Sequence, residues 1–340
     1  MPQARPRRFR PLALSLTMPL RLACQAMGTR FELVLTGQHE DQLRAVGELA
    51  LEEIQIAHRR WNAFASDSMV AHLARCAGGP GVKVDPETFE LLHLCVEVAK
   101  NSHGFFNPLL GPLLRQLGLR DDIPEETTTP LTTLIDVKGI SLDPDSCSVG
   151  LARAGMELDL GAIAKGAALD LAAQVLIEEG VNCALMHGGT STALALDPPP
   201  GKDAWQVAIG TDEHAPQALL ANTALSVSAA HSRHGSPIAS SSATGQEHQP
   251  RNRHSHILDP HQACGTRHLL AAAVVGPSAA ACDAWSTALV AGCRPTDVPA
   301  DLSLLTQPSP DSWLLSPGRP NCFRIEPCIP ATPPPTAAPF

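Results

Sequence analysis

Two stretches of this sequence combine residue types and spacings that could do chemistry. The first is Asp159-Leu160-Gly161-Ala162-Ile163-Ala164-Lys165-Gly166, followed by an alanine- and leucine-rich run that ends at Gly180. A glycine after such a run suits a helix C-terminus, so Lys165 and Gly166 fall in the first helical turn. That turn has unpaired N–H groups and the positive end of the macrodipole, and a lysine adds a full charge. The two readings open are an anion site, for a phosphate above all, and an ordinary lysine on a packing helix. The second stretch is Ser278–Gly292, where Asp283 and Thr287 stand four apart on an apolar helix and share one face. Burying a carboxylate and a hydroxyl there is costly without partners, and two hard oxygens at that spacing suit Mg²⁺. The bland alternative is a surface Asp with a back-bonded Thr.

Other elements must position these groups. Arg21–Leu35 reads as a strand with Met27-Gly28-Thr29 inside it, where a glycine marks a bulge or a close backbone approach. Asp41–His58 has helical periodicity, and Ser66 or Ser68 can start a helix after Arg60-Trp61-Asn62-Ala63-Phe64. Asp85-Pro86 starts a helix that stops at Gly104. Residues 121–133 read as a polar loop, with strands near 134–142. Residues 182–186 form a buried strand leading into His187-Gly188-Gly189-Thr190-Ser191, which is either a ligand-approaching glycine pair or a plain turn. Strands follow at 205–209, 224–228 and 271–275. Residues 231–254 are rich in Ser, His and Arg and read as a loop, and the proline-rich residues 306–340 as a disordered tail. The division is thus a disordered segment 1–20, a folded unit 21–305 built as two intertwined lobes, and the tail 306–340.

Composition narrows the function classes. The 340 residues are 44% hydrophobic and 17% charged with a net charge of −9, a globular composition with no basic patch for nucleic acid. Tyrosine is absent, so any stacking platform must use other aromatics. The lysine at 165 precedes the second glycine and no hydroxyl follows, which excludes a P-loop; a G-x-G-x-x-G after a strand is also missing. Ten cysteines form no C-x-x-C pair and read as buried thiols of a reducing compartment. A cytoplasmic location is expected. The basic, then apolar N-terminus gives export to the periplasm as the alternative, although Pro11, Pro19 and Arg21 interrupt its apolar run. No run approaches the ~18 apolar residues of a membrane helix.

Together these pieces resemble the FAD:protein FMN transferases of the ApbE flavin-transferase family. The resemblance runs from Met27 to Gly292 and rests on an ordered set: M-G-T at 27–29, R-W-N-A-F at 60–64, G-F-F-N-P-L at 104–109, D-L-G-A-I-A-K-G at 159–166, G-G at 188–189, H-I-L-D-P at 256–260 and D-x-x-x-T at 283–287. It implies an α+β, T-fold-like architecture with mixed or antiparallel sheets and flanking helices. It implies Mg²⁺-dependent transfer of the FMN half of FAD to a Thr or Ser hydroxyl of an acceptor protein, with release of AMP. Asp283, Thr287 and the Ala162 carbonyl would hold Mg²⁺. Met27, Phe64, Phe105, Phe106, Asn107, Asp159, Lys165 and Ile257 would line the FAD site. His256 and Asp259 would sit nearest the acceptor hydroxyl, and Lys165 would act in the chemistry. The chain lacks the Thr/Ser-Gly-Ala-Thr/Ser acceptor pattern, so the acceptor is another protein, with membrane redox subunits among the partners the resemblance suggests. The competing readings are a Mg²⁺-dependent FAD pyrophosphatase and a flavin binder without turnover. Three positions depart from the family: Asn107 for Asp, Thr190 for the Asp of Gly-Gly-Asp, and Ala229 for the Gly of Ser-Gly. Phe64 stands in for the usual pocket tyrosine.

Overall fold

The computed structural model describes residues 19–120, 129–210, 215–230, 257–266, 268–309, 312–316 and 322–324. The chain begins with a hairpin, β1 (Leu20–Ala26) and β2 (Thr29–Leu35), paired from Leu20↔Leu35 to Ala26↔Thr29. Met27 and Gly28 form its two-residue turn with φ of 50° and 70°. Two positive φ values match the right-handed twist of the strands, as in a type I′ turn. Residues 21–35 are therefore two strands, and the glycine lies in the turn instead of a bulge.

Helix α1 (Glu40–Trp61) follows, with its apolar stripe from Leu43 to Trp61 inward. Ser68 caps α2 (Met69–Arg75), β3 (Val82–Lys83) comes next, and Asp85 with Pro86 starts α3 (Pro86–Asn101). A short α4 (Gly111–Gln116) and a single helical turn, α5 (Leu131–Leu134), lie on either side of residues 121–128. Then come β4 (Ile140–Asp143) and β5 (Ser148–Leu151), which form a small antiparallel sheet with β3.

The central helix α6 (Ala164–Glu178) leads to β6 (Ala184–Gly188), β7 (Thr192–Ala195), β8 (Trp205–Ala208), β9 (Gln217–Leu220) and β10 (Thr223–Ala229). After the hairpin β11 (Leu258–Asp259) and β12 (Cys264–Gly265) come β13 (Ala271–Gly276) and α7 (Ala279–Ala291). The last strands are β14 (Ser303–Ser309), β15 (Ser312–Leu315) and β16 (Phe323–Arg324). Strand structure thus runs past residue 305, which corrects the expected start of the tail at 306. The segment Ser303–Thr306 is buried on both faces and completes the sheet beside β13.

The main sheet has eight antiparallel strands in the order β1-β2-β6-β7-β10-β13-β14-β15. Its β13, A-A-A-V-V-G, is buried at every position. Alternation sends Ala272 and Val274 into the large core under α1, α3, α6 and α7, and Ala273 and Val275 into a second core that includes Ile209, Ala218 and Phe323. The second core is closed by the sheet β16-β9-β8. Among the described residues no helix is long and apolar enough to cross a membrane.

On the large-core face α6 and α7 meet end to side, and two carboxylates bind them. Asp170 of α6 accepts from the Ala279 N–H at 2.8 Å, the Ala280 N–H at 3.0 Å and the Ser278 hydroxyl at 2.8 Å, which caps α7. Asp283 of α7 accepts the Gly166 N–H at 2.7 Å, which caps α6. Each helix's positive end is neutralised by an acid on its neighbour. Burial pushes the Asp170 carboxyl above its usual range, Asp283 adds to the rise, and the three donors oppose it. Gly166 is the contact point: a Cβ there would lie 2.2 Å from the Ala279 carbonyl oxygen. Gly166→Ala is expected to part the helices and destabilise the fold by about 1–3 kcal/mol, the usual range for overpacking. A urea unfolding midpoint unchanged from wild type would show that the contact yields freely.

Candidate active site

The sequence motifs converge along one line, from the N-terminus of α6 to the C-terminus of α7. At its centre is Asp283, 3% exposed. Its second oxygen accepts the Thr192 hydroxyl at 2.7 Å, and Ser191 lies 3.3 Å from Thr192. Both carboxylate partners, the Gly166 N–H and the Thr192 hydroxyl, are uncharged. A buried carboxylate with neutral partners leaves its charge without a counter-charge, and burial of that kind is costly. Thr287, one turn on, meets Ser228 at 3.1 Å. The Gly166 N–H stands four residues after Ala162, so its bond to Asp283 takes away the helical donor of the Ala162 carbonyl. Carboxylate, hydroxyl and carbonyl oxygens are the donor types that suit a hard cation such as Mg²⁺.

These bonds also take one N–H of the α6 N-terminus out of reach of an anion. The Gly166 N–H points at Asp283, and the glycine is there for helix contact. Lys165 is half-buried, and its Nζ reaches the Gly161 carbonyl at 3.4 Å. It is the group of this turn that could meet an anion.

Next along the line is Asp159, where an arginine that the sequence did not single out takes over. Arg120, 7% exposed, donates to Asp159 at 2.6 Å and pairs with Glu157 at 3.5 Å. Arg115 holds the same Glu157 at 2.7 Å. The Arg120 guanidinium also lies 5.3 Å from the centre of the Phe64 ring. Phe64 is 76% exposed and is presented by a turn in which its N–H bonds the Asn62 side chain at 2.9 Å. It offers an open aromatic face backed by a cation. The neighbours Arg60 and Trp61 are structural: Arg60 pairs with Asp85 at 3.1 Å, and Trp61 donates to Thr88 at 3.0 Å.

Asp159 is tied to the third part of the site by its N–H, which bonds the Pro108 carbonyl at 2.7 Å. In that segment Phe105 is half-buried and meets His261 edge-on, with ring centres 4.7 Å apart. Phe106 is 2% exposed and belongs to the core, so it supports the site from below instead of lining it. Ile257 is 8% exposed and likewise packed. Asp259 is buried, and its carboxylate accepts the His261 N–H at 2.9 Å, the Gln262 N–H at 3.3 Å and the Gln262 side chain at 2.9 Å. It is the post of its own turn. His256 lies outside the described residues. Met27 sits at the hairpin turn, its N–H on the His58 ring at 3.2 Å. Gly188 ends β6 and Gly189, with φ of 68°, opens the turn to β7; a Cβ at Gly189 would lie 2.5 Å from the Thr29 hydroxyl, so this glycine seats on M-G-T. Thr190 is exposed beside it, and Ala229 pairs with Ala271 in the sheet. The cysteine expectation holds only in part, since Cys95, Cys282 and Cys293 are buried while Cys183 is half-buried and Cys264 exposed.

Asn107 departs from the family for a visible reason. Its amide NH₂ donates to the Ile135 carbonyl at 2.8 Å, and its oxygen accepts the Leu109 N–H at 2.8 Å. An aspartate would set a carboxylate against that carbonyl. Asn107→Asp is expected to cost about 1 kcal/mol, because a half-buried carboxylate would lose this bond and face a carbonyl. Equal thermal unfolding of the two proteins would contradict this.

Comparison with known proteins bears on the family and the fold. The FAD:protein FMN transferase of Rhodobacter capsulatus is 30% identical over 273 residues, 78% of this chain and 50% of that protein. The enzyme of that name from Treponema pallidum is 35% identical over 162 residues, 43% of this chain and 44% of its own length. The chain thus spans about half of these two curated relatives. Among solved structures, the ApbE protein of Thermotoga maritima matches with a TM-score of 0.69 at 23% identity, over 85% of this chain and 94% of that one. The flavin transferase ApbE of Vibrio cholerae matches with 0.70 at 17% identity, over 88% and 97%. These two likenesses speak for the fold. The family model described as the ApbE family matches residues 27–294, which carry every motif named above, and the chain belongs to that family.

Proposed function

We propose that this chain transfers the FMN moiety of FAD to a Thr or Ser hydroxyl of a second protein and releases AMP. The observation that carries the reading is Asp283, buried with only neutral partners among the described residues, on the same helix as Thr287 and bonded to the N–H that would otherwise serve the Ala162 carbonyl. Such a site calls for a divalent cation where a pyrophosphate would lie. The names of the relatives support FAD as the substrate and a protein as the acceptor.

The reaction is a substitution at the FMN-side phosphorus. The acceptor oxygen forms a new P–O bond, the bond from that phosphorus to the bridging oxygen breaks, and AMP leaves with the bridging oxygen. Bound between Asp283, Thr287 and the Ala162 carbonyl, Mg²⁺ would neutralise charge on the pyrophosphate. Lys165, loosely held at the α6 entry, can turn to the phosphate oxygens and stabilise the charge that grows there. Phe64 offers its exposed face to a planar ring of FAD, and Arg120 holds that face and Asp159 in place. The hydroxyl proton needs a base. The motif position of His256 gives it that role, worth about 10²–10⁴ in rate, while Asp259 sets the turn that follows.

The test is incubation of the protein with FAD, Mg²⁺ and a carrier domain bearing a Thr-Gly-Ala-Thr segment, read by intact mass. The expected result is a gain of one FMN unit that EDTA abolishes. AMP release without an adduct would replace the reading by a pyrophosphatase, and bound FAD with neither product would replace it by a binder. Asp283→Ala is expected to lose the adduct altogether. His256→Ala should slow its formation at least 100-fold at pH 7, and a full rate in that variant would remove the base from His256.

A further inference from the structure

Four hydroxyls form a closed cluster between β10 and α7. Ser286 reaches the Asp283 backbone carbonyl at 3.1 Å. Ser226 and Ser228 lie 3.1 Å and 2.8 Å from Ser286, and Ser228 lies 3.1 Å from Thr287. Each hydroxyl has one proton to donate and two lone pairs to accept with. The Asp283 carbonyl can only accept, so Ser286 spends its proton there. Ser226 and Ser228 must then both donate to Ser286. Ser228 has no proton left, so Thr287 donates to Ser228. With all four contacts made as hydrogen bonds among the described residues, four protons fill four bonds in one order only.

The consequence falls on Thr287. In that order its proton is turned toward Ser228, and both oxygen lone pairs face away from it. We propose that Ser228 and Ser286 are positioning residues that preset the Thr287 oxygen as a cation ligand. They fix its proton so that no rotation of the hydroxyl is needed when Mg²⁺ binds. On Asp283 the same bookkeeping holds: Thr192 donates its proton to the carboxylate, and its own oxygen accepts from Ser191. Ser226 is a bystander, because it donates to Ser286 without touching Thr287. Removing it leaves the order of the other three protons intact. Removing Ser228 leaves the Thr287 hydroxyl free to rotate, and its proton can turn into the cation site. Partners of this kind, outside the ligands themselves, change metal affinity by about 10–100-fold.

The inference rests on the Mg²⁺ site of the proposed function and is tested by metal binding, apart from turnover. Mn²⁺ alone is titrated into the purified chain and its free signal followed by electron paramagnetic resonance. Thermal unfolding is measured in parallel in EDTA. Wild type is expected to bind one Mn²⁺, and Thr287→Val to lose it. Ser228→Ala should weaken binding about 10-fold or more with its metal-free unfolding close to wild type, and Ser228→Thr, which keeps a hydroxyl, should restore affinity. Ser226→Ala should bind Mn²⁺ as wild type does. Equal affinity in Ser228→Ala and wild type overturns the positioning role while the metal site stands. Equal weakening in Ser226→Ala and Ser228→Ala overturns it too, because the cluster would then be structural only. Absence of Mn²⁺ binding by wild type overturns the metal site and this inference with it.

Discussion

Helices α6 and α7 each end on a carboxylate of the other, and the candidate site depends on that exchange. Asp170 closes the N-terminus of α7 and Asp283 that of α6, across a contact so close that only glycine fits at 166. Unpaired N–H groups at a buried helix end are expensive, so each acid is held where it is. Asp283 therefore does two things at once. It satisfies a helix end, and it places a negative charge at the mouth of the turn that holds Ala162 and Lys165. A cation bound there would report directly on the packing of two helices, which links the geometry of the candidate site to the stability of the core.

The two acidic centres of the site differ in how their charge is met. Asp159 has a guanidinium at 2.6 Å and accepts the Gly161 N–H at 3.0 Å. Its charge is compensated inside the protein, and with Phe64 and Pro108 it forms a prebuilt wall. Among the described residues Asp283 has only neutral donors. The contrast divides the labour: the Asp159 charge near Arg120 is met by the protein itself, whereas under the proposed function the α6–α7 end would be completed by a cation. A separate groove of about 610 Å³ on the other flank of α6, lined by Asp170, Ala173, Ile177, Leu194 and Thr223, holds none of the motif residues.

Several motif residues turn out to hold the scaffold. Gly189 seats against Thr29, Trp61 donates to Thr88, Phe106 fills the core, and Asn107 braces Ile135. Motif order identified the family because such residues recur together, but recurrence does not separate a residue that touches a ligand from one that carries its neighbour. Asn107 shows the difference. Its loss of a carboxylate, read alone, suggests a weakened ligand contact; in the fold it is an amide with a backbone acceptor and a backbone donor satisfied.

Local physics made much of the fold legible in the sequence. Helix starts at Ser68, Asp85 and Ser278 and the helix stop at Gly292 are decided within a few residues, because caps and the turn of a glycine act over one helical turn. The i, i+4 pair of Asp283 and Thr287 was equally visible. Long-range contacts were not. Arg120 had no signature, since its partners Asp159 and Phe64 lie 39 and 56 residues away and a buried arginine reads like an exposed one. The strand after residue 305 hid in a proline-bearing stretch, because its burial comes from pairing with β13. The hydroxyls of Ser228 and Ser286, 58 residues apart, met only when β10 and α7 packed. The sequence by itself determined the caps, the periodic faces and the family. Tertiary structure alone decided which of those side chains spend their hydrogen bonds on the scaffold and which keep a lone pair or a charge for a ligand, since that depends on what lies across the core.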